Sequence, residues 1–355
     1  MTTPFWKPPP EPYPGRLPER CDVLVVGGGI TGVSLMHHLR RRGMEAVLVE
    51  RDHLAAGASG RNAGFLLAGV AENYAAAVRR YGRARAREIW ALTVENHDTM
   101  TAAVSGFDVG HFRDGTLILA SGPDEAEQLE ESAQLLAEDG FQAHWDGKAL
   151  FNPRDGEVTP TALVGALAVQ APQGSIRDHV EVTGLEPSAG DVLVHAHAHS
   201  GRAGIVILAT NGYTSQLVPS VRISPVRAQM LATEPLEGMV VERPTYSHFG
   251  YRYWRQVVTG ELLVGGWRDV APEVEVGYVE EPTETIQAQL EAHLVRLGVF
   301  APVEARWAGI MGFTELGLPM VGPVAGMKNV YVCGGYNGHG LGFAFVSAKQ
   351  LVDSL

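Results

Sequence analysis

Three glycines, Gly27, Gly29 and Gly32, have the spacing Gly-x-Gly-x-x-Gly and stand between a β-forming run and a helical pattern. Glycines at this spacing permit a tight turn and let the backbone approach phosphate groups, and the N–H groups that begin the helix can bind the same phosphates. Glu50 follows Gly27 by 23 residues, where a carboxylate can accept hydrogen bonds from a ribose diol. The pattern therefore predicts a dinucleotide site.

The residues around these glycines predict the elements that must position them. Asp22–Val26 has no polar alternation after Asp22, which is typical of a parallel strand buried on both faces. Apolar residues at helical spacing run from Val33 to Leu39, and Ala46–Glu50 is predicted as a second strand. We therefore expect an α/β protein that contains a Rossmann-like β-α-β unit.

The composition excludes several classes of protein. A chain of 355 residues with 45% hydrophobic residues can bury a large core, and this length suggests about two domains. Lys and Arg total 28 against 40 Asp and Glu, a formal charge of −12, so we expect no nucleic-acid partner. The longest apolar stretches, such as Ile205–Thr210, are too short to span a bilayer. We expect no membrane contact and a cytoplasmic location.

Further segments carry a resemblance to a known family. After Glu50 the chain is rich in small residues, which let the backbone run close beside a flat ring system. With the glycine turn and Glu50, the ordered set resembles the FAD-dependent D-amino-acid oxidase superfamily, which includes glycine oxidase and sarcosine oxidase, and in particular its gamma-glutamylputrescine oxidase-like branch. The segments are Gly57–Gly64, Ile207–Tyr213, Ser224–Gln229, Tyr253–Arg255, Leu262–Gly266, Trp307–Gly322 and Gly334–Gly340.

The resemblance implies a Rossmann-like, discontinuous FAD-binding domain and an α+β substrate domain on a mainly antiparallel sheet. The first would comprise 20–70, 155–222 and 305–355, and the second 71–154 and 223–304. Residues 1–19 are rich in proline and have no apolar run, so we expect a surface arm and not a signal peptide. The residue patterns also predict helices over 72–103, 124–138 and 284–297, a strand over 117–120 and a hairpin over 245–267.

The resemblance assigns FAD contacts residue by residue. We expect the FAD to be non-covalent, because the segment matching 306–314, where sarcosine oxidases carry the linking cysteine, has none. The implied cofactor-binding residues are Gly27, Gly29, Ile30, Thr31, Gly32, Glu50, Arg51, Ser59, Gly60, Arg61, Asn62, Ala63, Gly64, Val180, Thr210, Asn211, Gly335, Asn337, Gly338, His339, Gly340 and Leu341.

The implied reaction is oxidation of a C–N bond in a small amine or amino acid. A hydride passes to flavin N5, the imine hydrolyses, and molecular oxygen as acceptor gives hydrogen peroxide. Tyr253 and Arg255 are two residues apart on a predicted strand, so they share a face and could orient the substrate. His339 is expected to stabilise the reduced flavin or to bind substrate. The expected pocket walls are Phe65, His248, Trp267 and Met311.

Met311 departs from the glycine oxidase-like pattern. That pattern places after its W-A-G-L run an arginine that holds the substrate carboxylate, and here Trp307–Ile310 is followed by methionine. We therefore favour an amine or N-substituted substrate over a simple α-amino acid. The alternative is that another arginine, such as Arg252 or Arg255, holds the carboxylate.

Other functions remain open at this point. A dehydrogenase of the same family would pass electrons to a different acceptor, and a flavin subunit of a hetero-oligomeric oxidase would need partner chains. An NAD(P)-dependent dehydrogenase would share the β-α-β unit but would be colourless. Homo-oligomer formation is also compatible with the sequence. We expect no metal site, because the alternating His195, His197 and His199 are predicted to lie on a half-exposed hairpin.

Overall fold

The computed structural model describes residues 3–9, 12–197 and 199–355. Within these residues the α-helices are α1 (Ile30–Arg41), α2 (Tyr74–Tyr81), α3 (Arg83–Ala103), α4 (Pro123–Glu138), α5 (Pro160–Ala168), α6 (Thr214–Leu217), α7 (Glu284–Arg296) and α8 (Gly340–Ser354). The strands are β1 (Arg20–Val26), β2 (Ala46–Val49), β3 (Phe65–Leu66), β4 (Thr116–Leu119), β5 (His144–Trp145), β6 (Ala149–Asn152), β7 (Gly156–Glu157), β8 (Ile176–Arg177), β9 (Val182–Pro187), β10 (Val192–Ala196), β11 (His199–Leu208), β12 (Ser224–Thr233), β13 (Thr245–Ser247), β14 (Arg252–Gln256), β15 (Leu262–Gly266), β16 (Val303–Phe313), β17 (Met320–Pro323) and β18 (Val330–Gly334).

The first sheet has a parallel centre with the order β18-β11-β1-β2-β8. Strand β17 extends it in antiparallel orientation, and β10 and β9 pair antiparallel beside β11. In β1, Val23 and Val25 face one core while Leu24 and Val26 face another. Burial on both faces explains the uninterrupted apolar run, and the predicted parallel strand is confirmed.

Helices α1, α5 and α8 cover one face of this sheet, while β9, β10 and α6 lie on the other side. The buried Asn96 of α3 fixes the position of α8. Its Nδ2 donates to the carbonyl of Leu341 at 2.8 Å, and its Oδ1 accepts from the N–H of Val346 at 3.0 Å. The beginning of α8 is thereby held at the edge of the first sheet.

The second sheet has the order β16-β12-β15-β14-β13-β4-β6-β5 and is antiparallel except between β13 and β4. Helix α7 packs on one face through Ile286, Leu290 and Leu294. The opposite face contributes Leu263 and Trp307 to a core that includes residues of the first domain. The predicted fold class, a Rossmann-like domain with a mainly antiparallel second sheet, is confirmed.

Several boundaries differ from the prediction. The helix expected over 72–103 is divided by Gly82, whose φ of +81° cannot continue a right-handed helix. Strand β16 pairs with β12 of the second sheet, although residues from 305 onward were assigned to the cofactor domain. We therefore propose that the last cofactor-domain segment begins after Phe313.

The three alternating histidines lie on different elements. His195 is on β10, His197 is in the turn and His199 begins β11, so they do not share the face of one strand. Instead, His195 and His197 pair with the carboxylates of Glu186 and Glu181.

The proline-rich arm is more deeply packed than expected. Residues 1, 2, 10 and 11 of the predicted arm lie outside the described residues. In its described part Trp6 is 7% exposed and Leu17 is 4% exposed. The expectation of a surface arm is therefore wrong at these two positions, because their apolar side chains enter the core. Among the described residues no helix is long and apolar enough to cross a membrane.

We expect Gly32→Ala to destabilise the first domain. A Cβ at position 32 would overlap the carbonyl oxygen of Gly27, so α1 would have to move away from β1. Overpacking of this kind costs about 1–3 kcal/mol or more. Urea unfolding measures the loss, with Gly190→Ala as control because a Cβ there meets no atom within 4 Å. Equal stability of the two variants would contradict the prediction.

Candidate functional site

A cavity of about 460 Å³ lies between the two sheets, which is within the size range of ligand sites. The carboxyl ends of β1, β2 and β11 form one wall through Val26, Val49 and Ala209. The second sheet forms the opposite wall through β12, β13, β14 and β16. Most of the predicted cofactor-binding residues line this space, namely Gly27, Gly29, Ile30, Thr31, Glu50, Arg51, Ser59, Arg61, Asn62, Ala63, Gly64, Val180, Thr210, Asn211, Asn337, Gly338, His339, Gly340 and Leu341.

Three predicted cofactor residues lie behind the wall. Gly32 packs α1 against the turn at Gly27, Gly60 packs against the carbonyl of Ala55, and Gly335 donates its N–H to Asn211 Oδ1 at 2.8 Å. They shape the cavity and do not face it. This corrects the expectation that all of them contact the cofactor, because the missing Cβ serves close packing at Gly32 and Gly60.

The glycine turn presents the beginning of α1 to the cavity. Gly27 has a φ of +113° and its N–H donates to the carbonyl of Val49 at 2.8 Å, which closes the turn from β1. Gly29 occupies the N-cap without a side chain, and Ser59 Oγ accepts from the N–H of Ile30 at 2.9 Å. A helix N-terminus stabilises negative charge, so this wall fits a pyrophosphate.

Glu50 is oriented by two backbone donors. Its Oε2 accepts from the N–H of Gly28 at 2.6 Å and its Oε1 accepts from the N–H of Asp52 at 3.0 Å. Burial raises the pKa of Glu50, opposed by these hydrogen bonds. Each carboxylate oxygen has a further lone pair, so the group fits a ribose diol in the cavity.

The neighbouring wall is suited to a flat base. The guanidinium of Arg51 lies over the ring of Tyr213, with Cζ 4.2 Å from the centroid. Val180 lines the cavity, but its N–H donates to the carbonyl of Glu50 at 2.7 Å. Because this N–H is occupied, Val180 would contact an adenine through its own backbone carbonyl.

The segment 57–64, here called the anchored loop, is held from outside the cavity by three buried donors. Trp307 Nε1 donates to the carbonyl of Arg61 at 2.9 Å, and Trp6 Nε1 donates to that of Asn62 at 2.7 Å. Arg255 Nη1 donates to the carbonyl of Gly64 at 3.1 Å. In a trans peptide the N–H points opposite to the carbonyl, so the N–H groups of Asn62, Ala63 and Phe65 point away from these three donors.

Arg61 connects this loop to Glu280, which lies beside Tyr213. Its guanidinium donates to the carbonyls of Ala56 and Ala308 and pairs with Glu280 at 3.3 Å. Glu280 also accepts from the hydroxyl of Tyr213. The charge of Arg61 is therefore balanced by a carboxylate at the edge of the cavity.

Two asparagines hold the loop that precedes α8. Asn211 Oδ1 accepts from Gly335 N–H, and Asn337 Oδ1 accepts from the N–H of Thr314 at 2.9 Å. The N–H of Asn337 donates to the carbonyl of Gly312 at 2.8 Å. The N-terminus of α8 thus faces the same cavity as that of α1, and a second helix end can stabilise negative charge there.

Aromatic residues line the end of the cavity formed by the second sheet. Tyr253 of β14 and Tyr246 of β13 both line it, with ring centroids 5.6 Å apart, and Phe65 packs edge-on against Tyr246 at 5.1 Å. Burial raises the pKa of Tyr253 to about 12 and also raises that of Tyr246, so both hydroxyls stay protonated. Gly265 is paired with Tyr253, and a Cβ there would overlap the Tyr253 ring.

His339 lies at the same end and is the residue before α8. Burial lowers the pKa of its imidazole to about 4, so the ring is neutral near pH 7. Its Nδ1 is buried and has no hydrogen-bond partner among the described residues. A neutral imidazole with a free nitrogen can donate to or accept from a bound molecule.

Arg255 does not reach the cavity. It shares a face of β14 with Tyr253 as expected, but its side chain is 3% exposed between Trp6, the Gly64 carbonyl and Glu157. Burial lowers its pKa to about 10, opposed by Glu157. The expectation that Arg255 orients the substrate is corrected, because these partners hold it behind the anchored loop.

Two of the four predicted pocket-wall residues line the cavity and two do not. Phe65 and Met311 line the cavity. His248 is exposed in the turn between β13 and β14, and Trp267 packs against His293 with ring centroids 5.0 Å apart. These two expectations are corrected, since both side chains lie outside the cavity.

Sequence reasoning missed several residues of this site. Tyr246 and Tyr213 line the cavity, and Trp6 supports the anchored loop from the proline-rich arm. The alternation in β13 could have indicated Tyr246 once Tyr253 was placed on the facing strand. Nothing local marks Trp6, because its contact with Asn62 joins residues 56 positions apart.

We expect Trp307→Phe to weaken retention of FAD. The change removes the donor to the Arg61 carbonyl, and an unsatisfied buried carbonyl costs about 1–3 kcal/mol. Fluorescence titration of the apoprotein with FAD measures the affinity. Trp254→Phe is the control, since Trp254 belongs to the core under α7. Similar FAD affinities in the two variants would contradict the proposed support of the loop.

Comparisons with known proteins show the family of the chain. A family model described as FAD dependent oxidoreductase (DAO) matches residues 22–354. The chain is 24% identical to gamma-glutamylputrescine oxidoreductase of Escherichia coli (strain K12), over 94% of this chain and 83% of that protein. It is 23% identical to glycine oxidase of Bacillus licheniformis, over 95% of this chain and 93% of that protein.

A solved structure supports the same assignment at the level of the fold. The crystal structure of glycine oxidase from Geobacillus kaustophilus matches with a TM-score of 0.76 and 19% identity, covering 95% of each chain. The resemblance inferred from the ordered sequence segments is therefore confirmed, and FAD is the cofactor. The chain belongs to the DAO family of FAD-dependent oxidoreductases.

Proposed function

We propose that this protein oxidises a C–N bond in a small amine or amino compound. One observation carries the proposal: the cradle for a dinucleotide continues without a break into a chamber lined by Tyr246, Tyr253, Met311 and His339. The residues that line the cradle, such as Gly29 and Glu50, would hold FAD, which would supply a two-electron acceptor for the hydride on the carbon next to the substrate nitrogen; reoxidation by molecular oxygen would give hydrogen peroxide.

The side chains around the chamber provide orientation and exclude water. The rings of Phe65, Tyr246 and Tyr253 form apolar walls that favour a neutral amine, the form that can be oxidised. The protonated hydroxyls of the two tyrosines can hydrogen-bond to the substrate. Tyr253 and His339 are the groups that we propose to contact it, and Arg255 acts as a positioning residue through the Gly64 carbonyl.

The surroundings of Met311 support an amine or N-substituted substrate over a simple α-amino acid. Met311 Sδ would lie 3.5 Å from a Cβ placed on Gly338, so the methionine packs beside the loop before α8. A thioether offers only a soft, apolar contact. Neither Arg252 nor Arg255 replaces the missing arginine, because Arg252 pairs with Asp269 and Arg255 lies behind the anchored loop.

We propose that the FAD is bound without a covalent link. Neither cysteine lines the cavity, and burial raises the pKa of Cys21 to about 11 and that of Cys333 to about 12. A protonated thiol is a poor nucleophile, so neither side chain is poised to form a thioether. The cytoplasmic location and the oligomeric state stay predictions.

We expect His339→Gln to slow flavin reduction by about 10- to 100-fold without moving its pH dependence. Because the pKa of His339 is about 4, the imidazole does not change charge between pH 5 and 9. The rate should rise with pH only as the substrate amine loses its proton. Stopped-flow absorbance measures both quantities, with the exposed His144→Gln as control. A shifted inflection in His339→Gln would show that His339 titrates in this range.

The function is tested on the purified single chain. Acid precipitation should leave the yellow flavin in the supernatant. Anaerobic mixing with glycine, sarcosine and polyamine derivatives should bleach the flavin with at least one amine, most readily with an N-substituted compound. Peroxide released in air should match substrate consumed. Turnover with an artificial acceptor alone would indicate a dehydrogenase, and a lack of flavin bleaching with every amine would overturn the proposal or indicate a missing partner subunit.

A further inference from the structure

We propose that Arg268 binds a carboxylate of the substrate, so that the substrate is an amine that carries a carboxylate away from the reacting C–N bond. The inference rests on the proposed function and specifies its substrate class. Arg268 follows β15 and lines the cavity at the end formed by the second sheet. No feature of the sequence marked this residue, and it lies on a different element from the arginine that the glycine oxidase-like pattern places at Met311.

The guanidinium of Arg268 is held by rings and not by an anion. Its Cζ lies 4.2 Å from the centroid of the Tyr251 ring and 5.4 Å from that of the Phe313 ring. Stacking between aromatic faces fixes a guanidinium while leaving its edge of N–H donors free. Among the described residues no carboxylate or carbonyl accepts a hydrogen bond from Arg268.

Among the other arginines near the cavity, Arg51 lies over the ring of Tyr213, away from the second sheet, and the remaining three are each close to a carboxylate. Arg61 pairs with Glu280, and Arg255 lies beside Glu157. Arg252 donates in bidentate fashion to Asp269, the chain neighbour of Arg268, with one distance of 3.0 Å. Asp269 is therefore hydrogen-bonded by Arg252, and it interacts with Arg268 only through a Coulombic attraction. Among the described residues no carboxylate forms an ion pair with Arg268.

The remaining surface of this end carries no competing anion. Among the described residues that line the chamber around Arg268, the side chains of Tyr246, Tyr253, Met311, Phe313 and His339 are uncharged near pH 7. The acidic residues that line the cavity, such as Glu50 and Glu280, are held by the glycine turn and by Arg61. A partly enclosed cation among apolar walls attracts an anionic group strongly, because little water screens it.

The position of Arg268 also indicates where the carboxylate lies on the substrate. Tyr246 and Tyr253 lie within β13 and β14, whereas Arg268, Tyr251 and Phe313 lie at or just beyond the ends of strands. Arg268 thus stands at the rim of the sheet and the tyrosines stand inside it. An amine placed over the tyrosines would direct a carboxylate on a short aliphatic chain towards Arg268.

The first test measures binding of a carboxylate without turnover. The holoenzyme is titrated with butanoate and with its neutral analogue butanamide, and the change in the flavin absorption spectrum reports binding. We expect the wild type to prefer butanoate and Arg268→Gln to weaken butanoate binding by about 10- to 100-fold, since a charge-assisted hydrogen bond is lost. Arg268→Lys should retain part of the affinity. Butanamide binding should not change.

Arg222→Gln is the matched control. Arg222 is exposed and does not line the cavity, and its substitution removes the same charge as Arg268→Gln. Failure of the wild type to bind butanoate, or equal butanoate affinity in wild type and Arg268→Gln, overturns the inference. The FAD content of each variant, read from the same spectra, separates loss of the carboxylate contact from loss of the cofactor.

The second test separates this inference from the proposed function. The values of kcat/KM are compared for 4-methylaminobutanoate and for its uncharged amide. We expect the wild type to prefer the carboxylate by at least 10-fold and Arg268→Gln to lose that preference. If both compounds are oxidised and Arg268→Gln keeps the wild-type preference for the carboxylate, the role of Arg268 is overturned and the proposed function stays intact. If carboxylate binding depends on Arg268 but no amine is oxidised, the role of Arg268 stands and the proposed function is overturned.

Discussion

The site depends on one constraint, the pairing of three carbonyls in the anchored loop. Trp307, Trp6 and Arg255 donate hydrogen bonds to them. A carbonyl withdrawn from water must be paired, and each donor here comes from a different part of the chain: the arm, β16 and β14. These donors hold three carbonyls of the loop on its outer side. This wall of the cavity, which we propose to face the flavin, therefore depends on donors from the arm and from the second sheet.

The electrostatics of the cavity follow from this arrangement. Helices α1 and α8 both begin at its surface, so we propose that two positive helix ends face the cofactor, the first at its phosphates and the second next to His339. Glu50 is placed by the N–H groups of Gly28 and Asp52.

The substrate end differs in character from the cofactor end. Its walls are aromatic, its hydroxyls stay protonated and its imidazole stays neutral, so it stabilises an uncharged reacting group. Its charge is concentrated in Arg268 at the rim, where Tyr251 and Phe313 hold the guanidinium in place. The division between a neutral interior and a cationic rim is the physical basis for combining a neutral amine with a carboxylate in one substrate.

The sequence by itself determined the β-α-β unit and the cofactor, and most of the cofactor-binding residues predicted from it line the cavity. Those features depend on local patterns: Gly27, Gly29 and Glu50 are required by backbone approach to a dinucleotide, and the family segments keep their order along the chain. Strand alternation also placed Tyr253 and Arg255 on one face, but it could not say that only Tyr253 reaches the cavity. That outcome depends on Glu157, Trp6 and the Gly64 carbonyl, which take up the Arg255 side chain. Only the tertiary structure decided that Trp6 is buried, that Trp267 faces another core and that Arg268 forms no ion pair among the described residues. Each outcome depends on which residues, distant in the sequence, pack or pair with one another.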